Sequence, residues 1–311
     1  MIEHIGAVEL DGTYYPGEDL YCDGAVEDEL LQIVTTYSEE EYNRIIAEKK
    51  DWAILYHLSH IRGNIVEWLP IGREDLVLEI GSGCGAVTGT LSEKAGKVDC
   101  IELSKKRSLI NANRNKNRDN ISIKLGNFQE VEKHLTQQYD WVTLIGVFEY
   151  GQGYIDSPTP YQDFLKTAGS HLKPGGKLVM AIENRLGLKY FAGCTEDHCG
   201  IPFEGIEGYR TTKGVRTFSK PELEKIMDEA GFTKQEFYYP YPDYKLPMSI
   251  YSDEYLPKVG ELRTNRNNFD RKRLQIFDES EAFDSIIESG LFDQFANSFL
   301  IVMEKEEQSN E

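Results

Sequence analysis

The sequence predicts an α/β protein built around a doubly wound, largely parallel β-sheet. From Asp75 onward, short apolar runs alternate with segments of helical spacing. The apolar runs are nearly continuous, as in strands that are covered on both faces. A glycine-rich turn joins the first run to the first helix, as in a βαβ unit that binds a nucleotide-containing ligand.

Residues 1–37 contain apolar pieces broken by Gly and Pro, which predict an extended arm. Ser38 followed by Glu41 forms a capping-box pattern, and apolar residues then recur at helical spacing as far as Trp68. Two helices are therefore predicted to precede the sheet.

The predicted sheet has seven strands. They are the runs at residues 76–80, 98–103, 121–125, 141–147, 177–184, 234–241 and 297–305. Ser219 as N-cap, Pro221 in the first turn and Gly231 at the end predict a helix before the sixth strand.

The expected organisation has three parts, and two insertions interrupt the second. Two segments are too long for ordinary connections and are predicted lid segments: residues 185–218, which are rich in glycine and aromatic residues, and residues 240–296. The parts are residues 1–70, an N-terminal arm with helices packed on the core; residues 71–304, the main domain; and residues 305–311, a disordered tail.

Composition excludes several functions. The 311 residues carry a net charge of -19, which repels nucleic acid and anionic membrane surfaces. Neither a membrane-spanning apolar run nor a signal peptide is recognised, so we expect a cytoplasmic protein. The five cysteines fit reduced thiols. Cys194, His198 and Cys199 would suit zinc but lack a fourth ligand at a familiar spacing, so no metal is predicted.

The turn "EIGSGCGA" leaves two cofactors open. Gly81, Gly83 and Ala86 satisfy the dinucleotide pattern G-x-G-x-x-G/A, and Glu102 lies where a ribose-binding acid belongs. However, Glu79 is a costly charge within a strand unless it accepts hydrogen bonds at the site. Gly85 makes the turn G-x-G-x-G, which leaves room for a compact amino-acid moiety in place of a pyrophosphate.

The ordered stretches "VLEIGSGCG", "CIELS", "LGNF", "YDWVTLIGVFEYG" and "LKPGGKLVMAIEN" resemble the class I S-adenosylmethionine-dependent methyltransferases. The resemblance covers about residues 54–239 and the last strand. It implies a Rossmann-like, seven-stranded methyltransferase sheet that holds S-adenosyl-L-methionine. An enzyme that transfers methyl groups is therefore expected.

This resemblance assigns cofactor-binding roles to several positions. Gly81, Ser82, Gly83 and Gly85 would cradle the methionine moiety. The carboxylate of Glu102 would accept hydrogen bonds from both ribose hydroxyls. The remaining cofactor-pocket positions are Leu103 against the adenine, Asn127 and Phe128 at the adenine edge, Gly146 and Glu149 in "GVFEYG", Glu79, and Arg62, which could bind the cofactor carboxylate or be an exposed helix arginine.

Acceptor-binding residues are expected at the carboxyl ends of the strands and in the first insertion. His198 is the candidate general base, with Asp197 orienting it or sharing the role, although a histidine without a catalytic role also fits. Tyr150, Glu183 and Asn184 are candidate contacts to the acceptor.

A second resemblance spans nearly the whole chain and includes "AIENRLGLKYFAGCTEDH" and "YYPYPDYKLPMSIYSDEYLP". These stretches look like a bacterial methyltransferase family found in surface-polysaccharide gene clusters. It implies O-methylation of a sugar, glycan precursor or other small polar acceptor, with glycan-assembly enzymes as partners. Separately, a monomer or homodimer is expected. Four tyrosines could stack on a sugar ring or pack the insertion: Tyr238, Tyr239, Tyr241 and Tyr244.

Three other functions remain open at this point: an NAD-dependent oxidoreductase, a catalytically inactive cofactor-binding module in a glycan-assembly complex, and a protein methyltransferase. Glu79 and "LKPGG" disfavour the first, and intact cofactor motifs disfavour the second. The absence of a double-acid loop after the fourth strand disfavours an arginine methyltransferase.

Overall fold

The computed structural model describes residues 2–19, 24–265 and 273–304. The chain forms two compact units. Unit 1 comprises Met1–Leu144 and His171–Gly176, and unit 2 comprises Ile145–Ser170 and Lys177–Glu311. Residues 1–70, predicted as a separate N-terminal part, thus lie within unit 1. The predicted disordered tail, residues 305–311, lies outside the described residues.

Unit 1 holds a sheet whose strand order is β1-β2-β5-β4-β3-β6. The strands are β1 (Ile2–Ile5), β2 (Val8–Asp11), β3 (Leu76–Ile80), β4 (Lys97–Glu102), β5 (Ile121–Leu125) and β6 (Tyr139–Ile145). β1 and β2 form an antiparallel hairpin, and all the other pairs in this unit are parallel. The hairpin extends the predicted sheet beyond β5.

The helices of unit 1 are α1 (Ala25–Thr36), α2 (Tyr42–Lys49), α3 (Trp52–Leu58), α4 (Asn64–Glu67), α5 (Thr88–Lys94), α6 (Lys105–Arg114) and α7 (Phe128–Val131). The predicted capping box of Ser38 and Glu41 is present at the start of a 3₁₀ turn before α2. The prediction of an extended arm was wrong for α1. Leu30, Ile33 and Val34 lie on one face of this helix and pack into a buried cluster with Ile54 and Ile110.

Unit 2 contains four strands in the order β7-β10-β8-β9, and the pairs from β7 to β9 are antiparallel. They are β7 (Leu172–Glu183, of which Lys177 onward belongs to unit 2), β8 (Lys234–Tyr241), β9 (Ser249–Ser252) and β10 (Ser298–Glu304). All seven predicted strands are therefore present, and β1, β2 and β9 are additional strands.

The helices of unit 2 are α8 (Gly151–Tyr154), α9 (Pro160–Ser170), α10 (Leu188–Phe191), α11 (Lys220–Glu229), α12 (Glu279–Glu288) and α13 (Phe292–Phe295). Helix α11 begins at the predicted cap, where Ser219 and Glu222 form a capping box. The second insertion is more regular than predicted because β9, α12 and α13 lie within it. The lid role of the first insertion stays a prediction.

Within the described ranges, no helix is long and apolar enough to cross a membrane.

Candidate active site

Three glycines after β3 hold a turn that other residues would strain. Gly81, Gly83 and Gly85 have φ values of 74°, 53° and 76°, in the left-handed region. A Cβ atom at Gly85 would lie 2.4 Å from Asn111 Oδ1, whereas a Cβ at Gly83 would meet no atom of the described residues within 4 Å, its chain neighbours apart. Gly85 therefore permits close packing against α6, and Gly83 leaves open space for a ligand beside the turn.

Glu102, the last residue of β4, lies directly beside this turn. Its Oε2 accepts a hydrogen bond from Gly83 N (2.7 Å) and its Oε1 accepts one from Ser104 N (2.9 Å). Burial raises the pKa of the carboxyl, although these backbone N–H groups and Arg107 favour the charged form. Each carboxylate oxygen has a second lone pair, so both can also accept a ribose hydroxyl.

Ser82 provides an independent sign of a polar ligand at the turn. Its hydroxyl oxygen is buried and has no hydrogen-bond partner among the residues described. A buried hydroxyl without a partner is costly, and a polar ligand group would satisfy it. The open space at Gly83, the Ser82 hydroxyl and the Glu102 carboxylate together fit the amino-acid and ribose parts of S-adenosylmethionine.

Four further predicted cofactor residues belong to unit 1. Asn127 caps α7 through its side-chain oxygen, which accepts a hydrogen bond from Gln129 N (2.9 Å). The positions of the others are as follows: Leu103 is half-buried after β4, Phe128 is buried after Asn127, and the guanidinium of Arg62 lies 4.2 Å from the centre of the Tyr56 ring. Because β3, β4 and β5 are parallel neighbours, Gly81, Glu102 and Asn127 share one edge of the sheet.

Glu79 lies inside β3 and is bonded to protein groups. Its Oε2 accepts hydrogen bonds from Thr88 Oγ1 (2.6 Å) and from Cys100 Sγ (3.4 Å). Burial raises the pKa of this carboxyl from 4.5 to about 7, although both hydrogen bonds oppose the rise. Glu79 therefore contributes a titratable group to the interior of unit 1, and its predicted contact with the cofactor stays a prediction.

The raised pKa predicts that Glu79 makes stability depend on pH. Between pH 4.5 and about 7 the native state binds more protons at Glu79 than the unfolded state does, so stability falls as pH rises. The variant Glu79→Gln lacks this titration. The free energy of unfolding, measured with urea, should fall between pH 5 and pH 8 by up to about 3 kcal/mol more for wild type than for the variant. A stability difference that is equal at both pH values would contradict the raised pKa.

The remaining predicted residues belong to unit 2. Gly146 has φ +68°, and a Cβ atom there would lie 2.7 Å from the hydroxyl of Tyr244, so a side chain would be both strained and crowded. Glu149 lies in a 3₁₀ turn, Phe148–Tyr150, and is 1% exposed. The ring of Tyr150 meets the ring of His198 edge-on, with 5.5 Å between their centres.

His198 is surrounded by three carboxylates. Its Nδ1 lies 2.9 Å from Glu196 Oε1, and its Nε2 lies 3.4 Å from Glu149 Oε1 and 3.8 Å from Glu183 Oε2. Burial by itself would lower the pKa of the imidazole, but the surrounding carboxylates raise it well above its ordinary value. Without a bound cation this environment favours the protonated imidazole, whereas a general base must be ready to accept a proton.

Glu196, which the sequence reasoning missed, orients the imidazole. Its Oε2 accepts hydrogen bonds from the backbone N–H groups of His198 and Cys199, each at 2.7 Å, and its Oε1 accepts one from the Tyr209 hydroxyl. Burial would raise the pKa of Glu196, but His198 and the N–H of Cys199 lower it to about 2. The only signal in the sequence was an acid two residues before the histidine.

Asp197 does not have the orienting role that the sequence suggested. Its Oδ1 lies 2.6 Å from Lys245 Nζ, and its Oδ2 lies 2.9 Å from Lys189 Nζ and 2.5 Å from the Tyr190 hydroxyl. Burial would raise its pKa, but the two lysines hold it well below its usual range. Asp197 is thus part of a lysine–carboxylate network that adjoins the His198 cluster through Glu183, whose Oε1 is 2.5 Å from Lys245 Nζ.

Asn184 corrects a second prediction. The fully buried side chain donates hydrogen bonds to the carbonyls of Gln294 and Ala296, both at 2.8 Å, and accepts one from Leu186 N at 3.0 Å. These bonds tie the end of β7 to the segment before β10. The amide is engaged by backbone, which argues against a contact with the acceptor, whereas the neighbouring Glu183 lies in the His198 cluster.

The tyrosines considered for sugar stacking mostly belong to the core. Tyr239, Tyr241 and Tyr244 are buried, and only Tyr238 of the four is half-exposed.

Of the residues considered for zinc, Cys194 has another partner, because its Sγ accepts a hydrogen bond from Arg273 Nη1 (2.8 Å). His198 instead faces carboxylates.

Comparisons with known proteins identify the domain. Residues 78–178 match a family model described as a methyltransferase domain. A search of curated proteins gives no match. Among solved structures, the chain is similar to a SAM-dependent methyltransferase from Archaeoglobus fulgidus, with 15% identity and a TM-score of 0.50 over 82% of this chain and 100% of that one. At this identity the likeness shows the fold.

Two other solved structures are also similar. The methyltransferase in complex with the Haloferax volcanii Trm112 activator has 18% identity and a TM-score of 0.49, covering 88% of this chain and 100% of that one. Phosphoethanolamine N-methyltransferase 1 of Haemonchus contortus has 13% identity and a TM-score of 0.49, and the match covers 94% of this chain and 51% of that one.

The matched segment runs from β3 to β7 and contains the glycine turn, Glu102 and Asn127. The nicotinamide alternative is therefore set aside. The chain carries a methyltransferase domain at residues 78–178, and its fold is Rossmann-like.

Proposed function

We propose that this methyltransferase acts in the cytoplasm on a hydroxyl group of a sugar, a glycan precursor or another small polar acceptor. The observation that carries the proposal is the cluster in unit 2 of two buried glutamates, Glu149 and Glu183, with the half-buried His198. A cluster of two carboxylates and an imidazole can bind hydroxyl groups and can hold a proton. The resemblance to methyltransferases of surface-polysaccharide gene clusters supports the same class of acceptor.

Methyl transfer to a hydroxyl oxygen requires a group that takes up the hydroxyl proton. S-adenosylmethionine supplies an electrophilic methyl group on a sulfonium, so the protein must orient the acceptor and accept this proton. Burial raises the pKa of Glu149, and His198 only partly opposes the rise. A carboxylate with a raised pKa is a stronger base, so we assign proton uptake to Glu149.

His198 then has a different role from the one the sequence suggested. Its imidazole Nε2 lies 3.4 Å from Glu149 Oε1, and when no cation is bound the protonated ring would stabilise the charged carboxylate before the transfer. Glu196 fixes its ring through Nδ1. Glu183 and Tyr150 border the same imidazole, and we assign them the contacts to the acceptor.

A methyl-transfer assay tests this proposal. Purified full-length chain is incubated with radiolabelled S-adenosylmethionine and a panel of nucleotide sugars, with phosphoethanolamine and free amino sugars as nitrogen acceptors. We expect label in an O-methylated sugar product that mass spectrometry and alkaline stability identify. Transfer to nitrogen acceptors alone would overturn the proposal, as would binding of S-adenosylhomocysteine without transfer to any hydroxyl compound, the result expected of an inactive module.

A further inference from the structure

Three potential ligand atoms converge inside unit 2. Glu149 lies in the 3₁₀ turn before α8, Glu183 ends β7, and His198 lies in the irregular segment after α10. One ligand atom from each residue lies within 4.8 Å of the others. The two glutamates are 1% and 0% exposed, and the side chain of His198 is 9% exposed. Three distant parts of the sequence therefore bring oxygen, oxygen and nitrogen donors to one buried point.

The distances from His198 Nε2 to the two glutamates are longer than a direct hydrogen bond and approach the spacing of ligands around one cation. His198 Nε2 lies 3.4 Å from Glu149 Oε1 and 3.8 Å from Glu183 Oε2, whereas an imidazolium–carboxylate hydrogen bond is about 2.7–2.9 Å long. Donors bound to one cation at about 2.0–2.2 Å lie about 3.0–3.5 Å apart. The first distance falls in that range, and a shift of a few tenths of an ångström brings the second into it.

The two carboxylates also have unused oxygens. Glu149 Oε2 and Glu183 Oε2 are buried without a hydrogen-bond partner in the part of the chain that the structure describes. Buried carboxylate oxygens are costly unless a cation or a donor compensates them. These two oxygens belong to side chains that both face His198 Nε2.

The imidazole is held in the orientation of a metal ligand. Glu196 Oε1 lies 2.9 Å from Nδ1, so Nδ1 is the donor. A cation that replaces the proton on Nε2 would bind the lone pair that this nitrogen directs toward Glu149 and Glu183. Histidines that ligate metals characteristically donate their other N–H to a carboxylate or carbonyl. Backbone N–H groups and the hydroxyl of Tyr209 fix Glu196 in turn.

The local charge favours a cation. Five carboxylates and two lysines meet in this network: Glu149, Glu183, Glu196, Asp197 and Asp243, with Lys189 and Lys245. With a neutral imidazole the carboxylates exceed the lysines by three charges, and a divalent cation between Glu149 and Glu183 would offset two of them.

We propose that Glu149, Glu183 and His198 bind one divalent transition-metal cation, with Glu196 as the residue that positions the imidazole. Mixed carboxylate and imidazole donors suit Mn²⁺ and its first-row neighbours better than Mg²⁺ or Ca²⁺, which prefer oxygen alone. Three protein ligands leave coordination positions for water or another oxygen ligand.

The role of the cation in catalysis rests on the proposed function, whereas its binding does not. An acceptor hydroxyl bound at an open position would become more acidic. Its proton would pass to Glu149 Oε2, its oxygen would bond to the methyl carbon, and the sulfur–methyl bond would break with its electron pair left on sulfur. The metal keeps its oxidation state, so no oxidant or reductant is needed.

Electron paramagnetic resonance of Mn²⁺ tests the site on the full-length chain, after chelator treatment and without cofactor or acceptor. We expect about one Mn²⁺ per chain to lose its free-ion signal. In Glu183→Gln and His198→Gln the affinity should fall by about 10- to 100-fold or more. The matched control is Glu204→Gln: Glu204 is also buried in unit 2, but its Oε1 accepts hydrogen bonds from Thr211 and Thr212, and Mn²⁺ affinity should not change.

Electron spin-echo measurements on wild-type protein keep the test decisive if a variant fails to fold. Bound Mn²⁺ should show modulation from a coordinated imidazole nitrogen, which ¹⁵N-histidine labelling shifts. Absence of Mn²⁺ binding, binding without a coordinated nitrogen, or equal affinity in folded Glu183→Gln would each overturn the proposal. Mn²⁺ binding without methyl transfer to any hydroxyl acceptor would sustain the metal site and refute the proposed function.

Discussion

Replacing Glu102 with alanine is expected to weaken the binding of S-adenosylhomocysteine by about 100-fold or more. The carboxylate can accept hydrogen bonds from both ribose hydroxyls, and bonds to a charged group contribute about 1.5–3 kcal/mol each. The same carboxylate holds Gly83 N and Ser104 N, so its loss also loosens the cofactor turn. Isothermal titration calorimetry measures the change directly.

Two further variants separate the cofactor contact from general damage. Glu102→Gln keeps one acceptor oxygen and should lose less affinity than Glu102→Ala. Glu93→Ala removes an acid of unit 1 whose side chain is 62% exposed, and its affinity should match wild type. Unchanged binding in a folded Glu102→Ala protein would refute the ribose role.

The second large effect is expected for Glu149→Gln, which should lower kcat by about 10²- to 10⁴-fold. Glutamine keeps the size of the side chain but cannot take up the hydroxyl proton. Because the amide is also a poor cation ligand, the loss is expected with or without bound metal. Affinity for S-adenosylhomocysteine should stay within about twofold of wild type if Glu149 acts on the acceptor, so the measurement pairs turnover with calorimetry.

Glu204→Gln is the matched control for turnover, because it alters a buried acid of unit 2 outside the His198 cluster. The pH profile adds a readout that a structural role would not produce. Wild-type kcat should rise with pH as Glu149 loses its proton, and burial places the pKa of Glu149 above its ordinary value. The variant should lack this rise. A Glu149→Gln enzyme with normal kcat would exclude Glu149 as the proton acceptor.

The sequence was most informative where a local pattern has one structural solution. Apolar runs covered on both faces predicted all seven core strands, and the Ser38 and Ser219 capping boxes marked the starts of their helical segments. The glycine turn was predictable because Gly81, Gly83 and Gly85 sit in a conformation that other residues adopt only with strain. These features depend on neighbours in sequence.

Helix α1 was missed because its apolar residues lack such a local signal. Its N-cap, Gly24, makes no side-chain cap, and the Gly- and Pro-containing sequence before it suggested an extended arm. The helix depends on tertiary packing of Leu30 and Ile33 against Ile54 and Ile110. Strand β9 likewise depends on its pairing with β8.

The partners of His198 were the hardest part to predict. Glu149, Glu183 and Lys245 are distant from His198 in sequence and meet it or its cluster only in the fold. The sequence therefore favoured the adjacent Asp197 as the partner of His198. In the structure the Asp197 carboxylate contacts two lysines, and the His198 imidazole contacts Glu196. Long-range contacts of this kind leave no periodic pattern in one sequence.

Calorimetry of the wild-type protein with two ligands tests the central claim most directly. S-adenosylhomocysteine and NADH share an adenosine moiety, but only the first has the amino-acid group that the Gly81–Gly85 turn is expected to hold. We predict 1:1 binding of S-adenosylhomocysteine and no measurable binding of NADH under the same conditions. Tight binding of NADH together with no binding of S-adenosylhomocysteine would contradict the account.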